Sequence, residues 1–148
     1  MFPTAPLTIG WKERVDFVDW GIRRVKAKID TGARTSALGV ESLQLCDEDG
    51  MRIAELGLAL NRKHPERKVV VRVPVLKMIR VCNSGGQREE RPLVEAQLRI
   101  GPIVKPVYFT VTRRDCMVCP MILGRGALNG DFVVDVAYKY LLRAEKRR

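Results

Sequence analysis

The sequence predicts an all-β protein, a small β-barrel or sandwich with one short helical turn near its C-terminal end. Three observations predict it. Apolar residues recur every second position in several short segments; Gly, Pro, Asn and Ser separate those segments at hairpin spacing; and the 3.6-residue period of an amphipathic helix is scarce. At 148 residues, 46% of them hydrophobic, the chain can bury one core and is too short for two ordinary domains. Residues 1–148 are therefore read as a single domain.

In chain order, residues 7–18 read as extended. Val25, Ala27 and Ile29 alternate with Lys26 and Lys28, which places apolar side chains on one face of a strand that runs directly into Asp30. Residues 61–68 carry Arg62, Lys63, Glu66 and Arg67 without an apolar anchor and read as a disordered loop. Residues 69–81 are rich in Val and Ile, and Pro74 marks an edge, a bulge or a break there, because it has no N–H to donate to a ladder. Asn83, Ser84, Gly85 and Gly86 supply the residues that a turn with positive φ requires.

Farther along, Val94, Ala96, Leu98 and Ile100 alternate with Glu95, Gln97 and Arg99, Gly101 and Pro102 turn the chain, and residues 103–111 return as the second arm of a hairpin. Residues 125–129 read as one helical turn closed by Gly130, and residues 132–142 as extended. The basic residues 143–148 read as a frayed, flexible tail. No repeat, low-complexity tract or linker divides the chain.

The formal charge of +10 favours acidic partners: a nucleic acid, an anionic surface or an acidic peptide. Nucleic acid is disfavoured, because no strand interleaves aromatic with basic residues and no helix-turn-helix pattern is present. No apolar run approaches bilayer length, so no membrane partner is expected. The first residues lack the basic start and apolar stretch of a secretory signal, which makes the cytoplasm the expected compartment.

In that compartment the four cysteines are expected as reduced, partly buried thiols without a disulfide. Cys116 and Cys119 form a C-x-x-C, but a zinc site would need Cys46 and Cys82 to join them from distant positions, and the one histidine, His64, lies in the charged loop. No metal and no cofactor are expected.

The chemistry-bearing segment is Lys28-Ile29-Asp30-Thr31-Gly32-Ala33-Arg34-Thr35-Ser36. Asp and Gly close many ordinary turns, so D-T-G alone is a weak signal. A second element, Met121-Ile122-Leu123-Gly124-Arg125, raises its specificity. Apolar residues leading into D-T-G-A, with a small polar residue soon after, and a later apolar-apolar-Gly-Arg segment together resemble the retropepsin-like aspartic peptidases. The likeness extends to Ile9-Gly10-Trp11, the long form K-A-K-I-D-T-G-A-R-T-S-A-L, Arg88-Glu89-Glu90-Arg91-Pro92, and Thr112-Arg113-Arg114-Asp115. Across nearly its whole length the chain is similar to the bacterial, RimB-like family named for ATP-dependent zinc proteases. Members of that family are read as retropepsin-like, and some are associated with RimK-type ATP-grasp ligases that add glutamates to a ribosomal protein.

That resemblance implies a small closed β-barrel of retropepsin-like (acid protease) type with one short C-terminal helix, and an aspartic-type peptidase, a hydrolase. The zinc and ATP of the family name are not expected, since the sequence has neither H-E-x-x-H nor G-x-x-x-x-G-K-[ST]. Hydrolysis by this route needs two carboxylates sharing one proton, one acting as base toward water and the other as acid toward the carbonyl oxygen. Asp30 is the implied catalytic carboxylate, and with a single D-T-G its partner is expected to be Asp30 of a second copy in a homodimer. Asp115, Asp131 and Asp135 are the alternatives within one subunit. Thr31, Gly32, Ala33 and Gly124 are expected to support the turn: Thr31 through its hydroxyl across the two-fold axis, Ala33 by keeping the channel wall small, and the two glycines by permitting close approach.

Arg34 stands where viral retropepsins carry an acid after D-T-G-A, so an ion pair between that acid and the later Arg is not expected here. Arg34, together with Arg80, Arg88 and Arg91 around the 83–86 turn read as a flap, is expected to bind an acidic substrate, such as the glutamate tail of a RimK-modified ribosomal protein. The plainer alternative leaves these arginines facing water. The competing reading for the whole chain is a non-catalytic peptide-binding or regulatory module on the same fold.

Overall fold

The computed structural model describes residues 5–59, 68–82, 85–113 and 119–142. The charged loop, apart from Lys68, therefore lies outside the described residues. So do His64, Asn83, Ser84, Asp115, Cys116 and the tail 143–148.

The strands are β1 (Leu7–Gly10), β2 (Lys12–Phe17), β3 (Ile22–Ile29), β4 (Ser36–Val40), β5 (Ser42–Glu48), β6 (Met51–Ala59), β7 (Lys68–Pro74), β8 (Lys77–Cys82), β9 (Arg88–Ile100), β10 (Ile103–Arg113), β11 (Met121–Leu123) and β12 (Phe132–Asp135). One helical turn, α1 (Arg125–Leu128), lies between β11 and β12. Six strands close a barrel in the order β10-β4-β11-β3-β2-β9, with β9 pairing back onto β10, and β8 extends the sheet beyond β9. Closure leaves these six strands without the unpaired edge that open sheets must protect. A three-stranded antiparallel sheet, β5-β6-β7, and a parallel pair, β1-β12, complete the chain.

The period-of-two segments became strands with the expected inward faces. Val25, Ala27 and Ile29 on β3 and Val94, Ala96, Leu98 and Ile100 on β9 are buried, whereas Lys26, Lys28, Glu95 and Arg99 are exposed. The hairpin joins Ile100 to Ile103 in register around Gly101, whose φ of 60° is the left-handed conformation that glycine adopts without a Cβ clash. Inside the barrel Phe17 stacks on Trp20 at 4.4 Å and tilts against Phe109 at 5.9 Å.

Residues 69–81 divide at Pro74, and the two pieces join different sheets. Val75 donates its N–H to Arg52 at 2.9 Å, on the β6 side, and the next N–H, of Leu76, goes to Leu93 on β9 at 2.8 Å. Residues 7–18 break at Trp11, so that β1 joins β12 while β2 joins β3 and β9. The expected extension over 132–142 holds only to Asp135. Beyond it Asp135 caps a turn, accepting the N–H of Ala137 at 3.0 Å through Oδ1, and Tyr140 takes φ of 59°, outside the extended region. The helical turn ends as expected, with Gly130 at φ of 85° after Asn129. Among the described residues no helix is long and apolar enough to cross a membrane.

Two relationships position the 30–35 segment. β3 ends at Ile29 and β4 begins at Ser36, yet the two strands are separated by β11, which runs parallel to β3 (Leu123 opposite Ile29) and antiparallel to β4 (Ile122 opposite Ala37). The connection carrying Asp30 must therefore pass across the end of β11, where Gly124 leaves it.

Candidate active site

Asp30 is half-buried and held from both sides. Its own N–H donates to the carbonyl of Leu123 at 2.9 Å, continuing the β3–β11 ladder by one residue, and its carbonyl accepts the N–H of Ala33 at 3.2 Å to close a turn. Within that turn the N–H of Gly32 donates to Asp30 Oδ1 at 3.0 Å. A hydrogen bond to a carboxylate is stronger than one between neutral groups, so this contact fixes the direction of the side chain. A Cβ on Gly32 would stand 3.2 Å from the same oxygen, which is why a residue without one suits the position.

The later segment ties itself to this turn through main-chain atoms. Arg125 and Gly126 donate their N–H groups to the carbonyls of Ala33 (2.8 Å) and Arg34 (3.0 Å). Gly124 makes the approach possible: a Cβ there would lie 2.7 Å from the Ala33 oxygen and 3.0 Å from both the carbonyl carbon and the oxygen of Thr35. Gly124 also donates its N–H to the hydroxyl of Ser36 at 3.0 Å in the interior. The guanidinium of Arg125 donates to the Thr31 carbonyl at 3.0 Å. With Arg34 in the place of an acid, the later arginine grips backbone instead of a carboxylate.

Thr31, Gly32, Ala33, Arg34 and Gly124 are thus assembled around Asp30, with Thr31 and Arg34 exposed. Thr31, Arg34 and Arg125 also line an open groove with Leu128, Phe132 and Val136. Arg80, Arg88 and Arg91 lie on the β8–β9 hairpin, where Arg80 pairs with Glu90 at 3.6 Å and Arg91 with Glu89 at 2.5 Å. Asp131 and Asp135 have local roles: Asp131 binds Lys105 Nζ at 2.6 Å, and Asp135 caps the turn described above. Of the three described thiols, Cys119 is buried while Cys46 and Cys82 are exposed, which corrects the expectation of partly buried thiols for these two. Cys46 instead sits beside Arg72, whose guanidinium is held above its usual range by its hydrogen bond to Glu48, with Cys46 adding to the effect.

Sequence reasoning left two residues out of the site. Ser36 had a signal, a small polar residue soon after D-T-G-A, but its partner 88 positions away did not. Arg125 was read only as part of a pattern, and its contact with Thr31 depends on how closely α1 packs.

Residues 8–145 match the model of a family described as RimB-like, "Retropepsin-like aspartic endopeptidase RimB". A "Probable alpha-L-glutamate ligase" of Desulfotalea psychrophila is 31% identical over 143 residues, which are 93% of this chain and 30% of the ligase. Another of the same name, from Parasynechococcus marenigrum, is 32% identical over 134 residues, 89% of this chain and 28% of the ligase. The chain spans less than a third of the length of these curated relatives. A crystal structure of a Legionella pneumophila protein of unknown function shares the fold with a TM-score of 0.76 and 19% identity, covering 93% of this chain and 99% of the other.

Proposed function

The chain belongs to the RimB-like family of retropepsin-like aspartic endopeptidases, and from that membership we propose that it is a cytoplasmic peptidase that works as a homodimer, with Asp30 of each copy forming one catalytic pair. The observation that carries this reading is the Asp30 carboxylate itself, half-buried just past the end of β3 and oriented by the Gly32 N–H at 3.0 Å. In this reading a second copy supplies the second carboxylate; Asp131 is paired with Lys105 and Asp135 caps the turn after β12, while Asp115 lies outside the described residues.

In the proposed reaction one carboxylate takes a proton from water as the water oxygen bonds to the peptide carbonyl carbon. The other gives its proton to the carbonyl oxygen. Collapse of the tetrahedral intermediate breaks the C–N bond, the leaving nitrogen takes a proton from the first carboxylate, and the second regains one from the collapsing hydroxyl. No charge has to leave the site, so neither a metal nor a nucleotide is needed for the step.

The substrate class we propose is an acidic peptide, such as a glutamate-modified tail, with a functional link to a RimK-type ligase. Its support is that a region similar to nearly all of this chain occurs within proteins named as glutamate ligases. Arg34 is exposed beside the proposed catalytic turn and can meet a carboxylate there, whereas Arg80 and Arg91 would first have to exchange Glu90 and Glu89 for the substrate.

Asp30→Asn tests the reading. The variant is expected to fold with unchanged stability and to lose hydrolysis of a Glu-rich peptide. Full activity in the folded variant would end the peptidase proposal, and binding without turnover by the wild type would favour the non-catalytic peptide-binding module.

A further inference from the structure

Glu13 is 1% exposed, and its carboxylate is shared among three backbone donors from opposite ends of the chain. Oε2 accepts the N–H of Gly10 at 2.7 Å and of Leu141 at 2.9 Å, and Oε1 accepts the N–H of Leu142 at 3.2 Å. Around this carboxylate the segment after β12 wraps the corner between β1 and β2. Trp11 donates its N–H to the Tyr138 carbonyl at 2.9 Å, and Tyr140 donates to the Lys12 carbonyl at 2.8 Å. Arg14 lies over the Tyr140 ring at 4.2 Å. Gly10 is packed so closely that a Cβ would stand 2.5 Å from the Tyr138 oxygen. The same corner reaches the catalytic turn, because the carbonyl of Trp11 accepts the N–H of Ile29 at 2.8 Å, one residue before Asp30.

From this continuity we infer that Glu13 is a positioning residue for Asp30: its carboxylate clamps residues 138–142 onto the Gly10–Trp11 corner, and the clamped corner fixes Ile29 and so the direction in which the chain enters the catalytic turn. A buried carboxylate is tolerated only when its lone pairs are satisfied, and here three N–H groups satisfy them. A smaller or neutral side chain would leave some of those donors unpaired in the interior, and the corner would relax to find water. The catalytic half of this inference rests on the peptidase reading; the mechanical half does not.

The test uses the full chain and Glu13→Gln, which keeps the shape but turns an amide donor toward N–H groups. Amide hydrogen exchange is expected to quicken at Gly10, Leu141 and Leu142 and also at Ile29 and Asp30, with the β9 amides at Ala96 and Leu98 unchanged. On a Glu-rich peptide kcat should fall roughly 10- to 100-fold with KM little changed, the signature of a displaced catalytic group, and Glu13→Asp should recover part of it. Faster exchange at Leu141 and Leu142 with Ile29 and Asp30 unaffected would overturn the inference. If Glu13→Gln fails to fold, Gly10→Ala loosens the same corner from the other side by pushing on Tyr138 and leaves the carboxylate in place; it should produce the same pattern at Ile29 and Asp30, and unaltered exchange there would equally overturn it. Should the wild type cleave no peptide, the peptidase reading fails while the exchange pattern still decides whether the clamp reaches Asp30.

Discussion

Ser36 and Gly124 stand 88 positions apart in sequence, and the N–H of Gly124 donates to the Ser36 hydroxyl at 3.0 Å in the buried interior. The contact joins the first residue of β4 to the residue that leaves β11, and so closes the support around the Asp30 turn from the side that Leu123 does not reach.

Removing that hydroxyl should be costly. Ser36→Ala leaves the Gly124 N–H buried without a partner, which is expected to destabilise the fold by about 1–3 kcal/mol. Urea unfolding would show a lower midpoint at unchanged slope, and a midpoint equal to that of the wild type would mean that the hydrogen bond contributes nothing.

Gly124→Ala should be damaging for a different reason. With φ of −93° the backbone tolerates a side chain, so the whole cost comes from a methyl group forced against the carbonyls of Ala33 and Thr35. Those are main-chain atoms and cannot rotate away. A loss of about 1–3 kcal/mol is expected, as for other overpacked sites, together with loss of peptidase activity as the turn shifts. Unchanged activity would separate the turn from its backing.

In the proposed homodimer, activity depends on pairing. When wild type and Asp30→Asn exchange subunits freely in equal amounts, activity should be about half of that expected from dilution alone, because only dimers with two wild-type chains retain both carboxylates. Activity proportional to the wild-type chain would instead place a complete site in each subunit.

Substrate charge is tested with matched peptides carrying Glu-rich, neutral or Lys-rich segments. The Glu-rich peptide should be cut fastest, with an advantage that fades as salt rises, since exposed charges are screened beyond about 10 Å at ~0.1 M ionic strength. Equal cleavage of all three would leave the +10 charge without a role in recognition.

Much of the barrel could be read from the sequence because its strands bury one face. Val25 to Ile29 and Val94 to Ile100 carry the alternation in plain form, and Gly101 marks the turn from the second of them into β10. The stretch from Ser36 to Glu48 carries no such signal, for the opposite reason: β5 is exposed along almost its whole length and β4 is buried at nearly every position, so neither alternates. The turn that carries Asp30 is legible as D-T-G-A and its backing as the later Gly-Arg. What holds them together is not, because Gly124 to Ser36, Arg125 to Thr31 and Glu13 to Leu141 and Leu142 are contacts between remote positions that leave no local pattern.

The insertion of β11 between β3 and β4 also orders events during synthesis. Residues 30–35 emerge from the ribosome early, but the strand that keeps β3 and β4 apart, and the carbonyl of Leu123 that holds the Asp30 N–H, arrive some ninety residues later. A nascent chain that ends before Met121 carries the Asp without its backing, and such long-range pairings are slow to form even in the finished chain. The fold itself thus delays assembly of the Asp30 turn until Gly124 and its neighbours have been made, so that, if the proposed peptidase reading holds, a chain translated short of Met121 has no formed site with which to cut its neighbours.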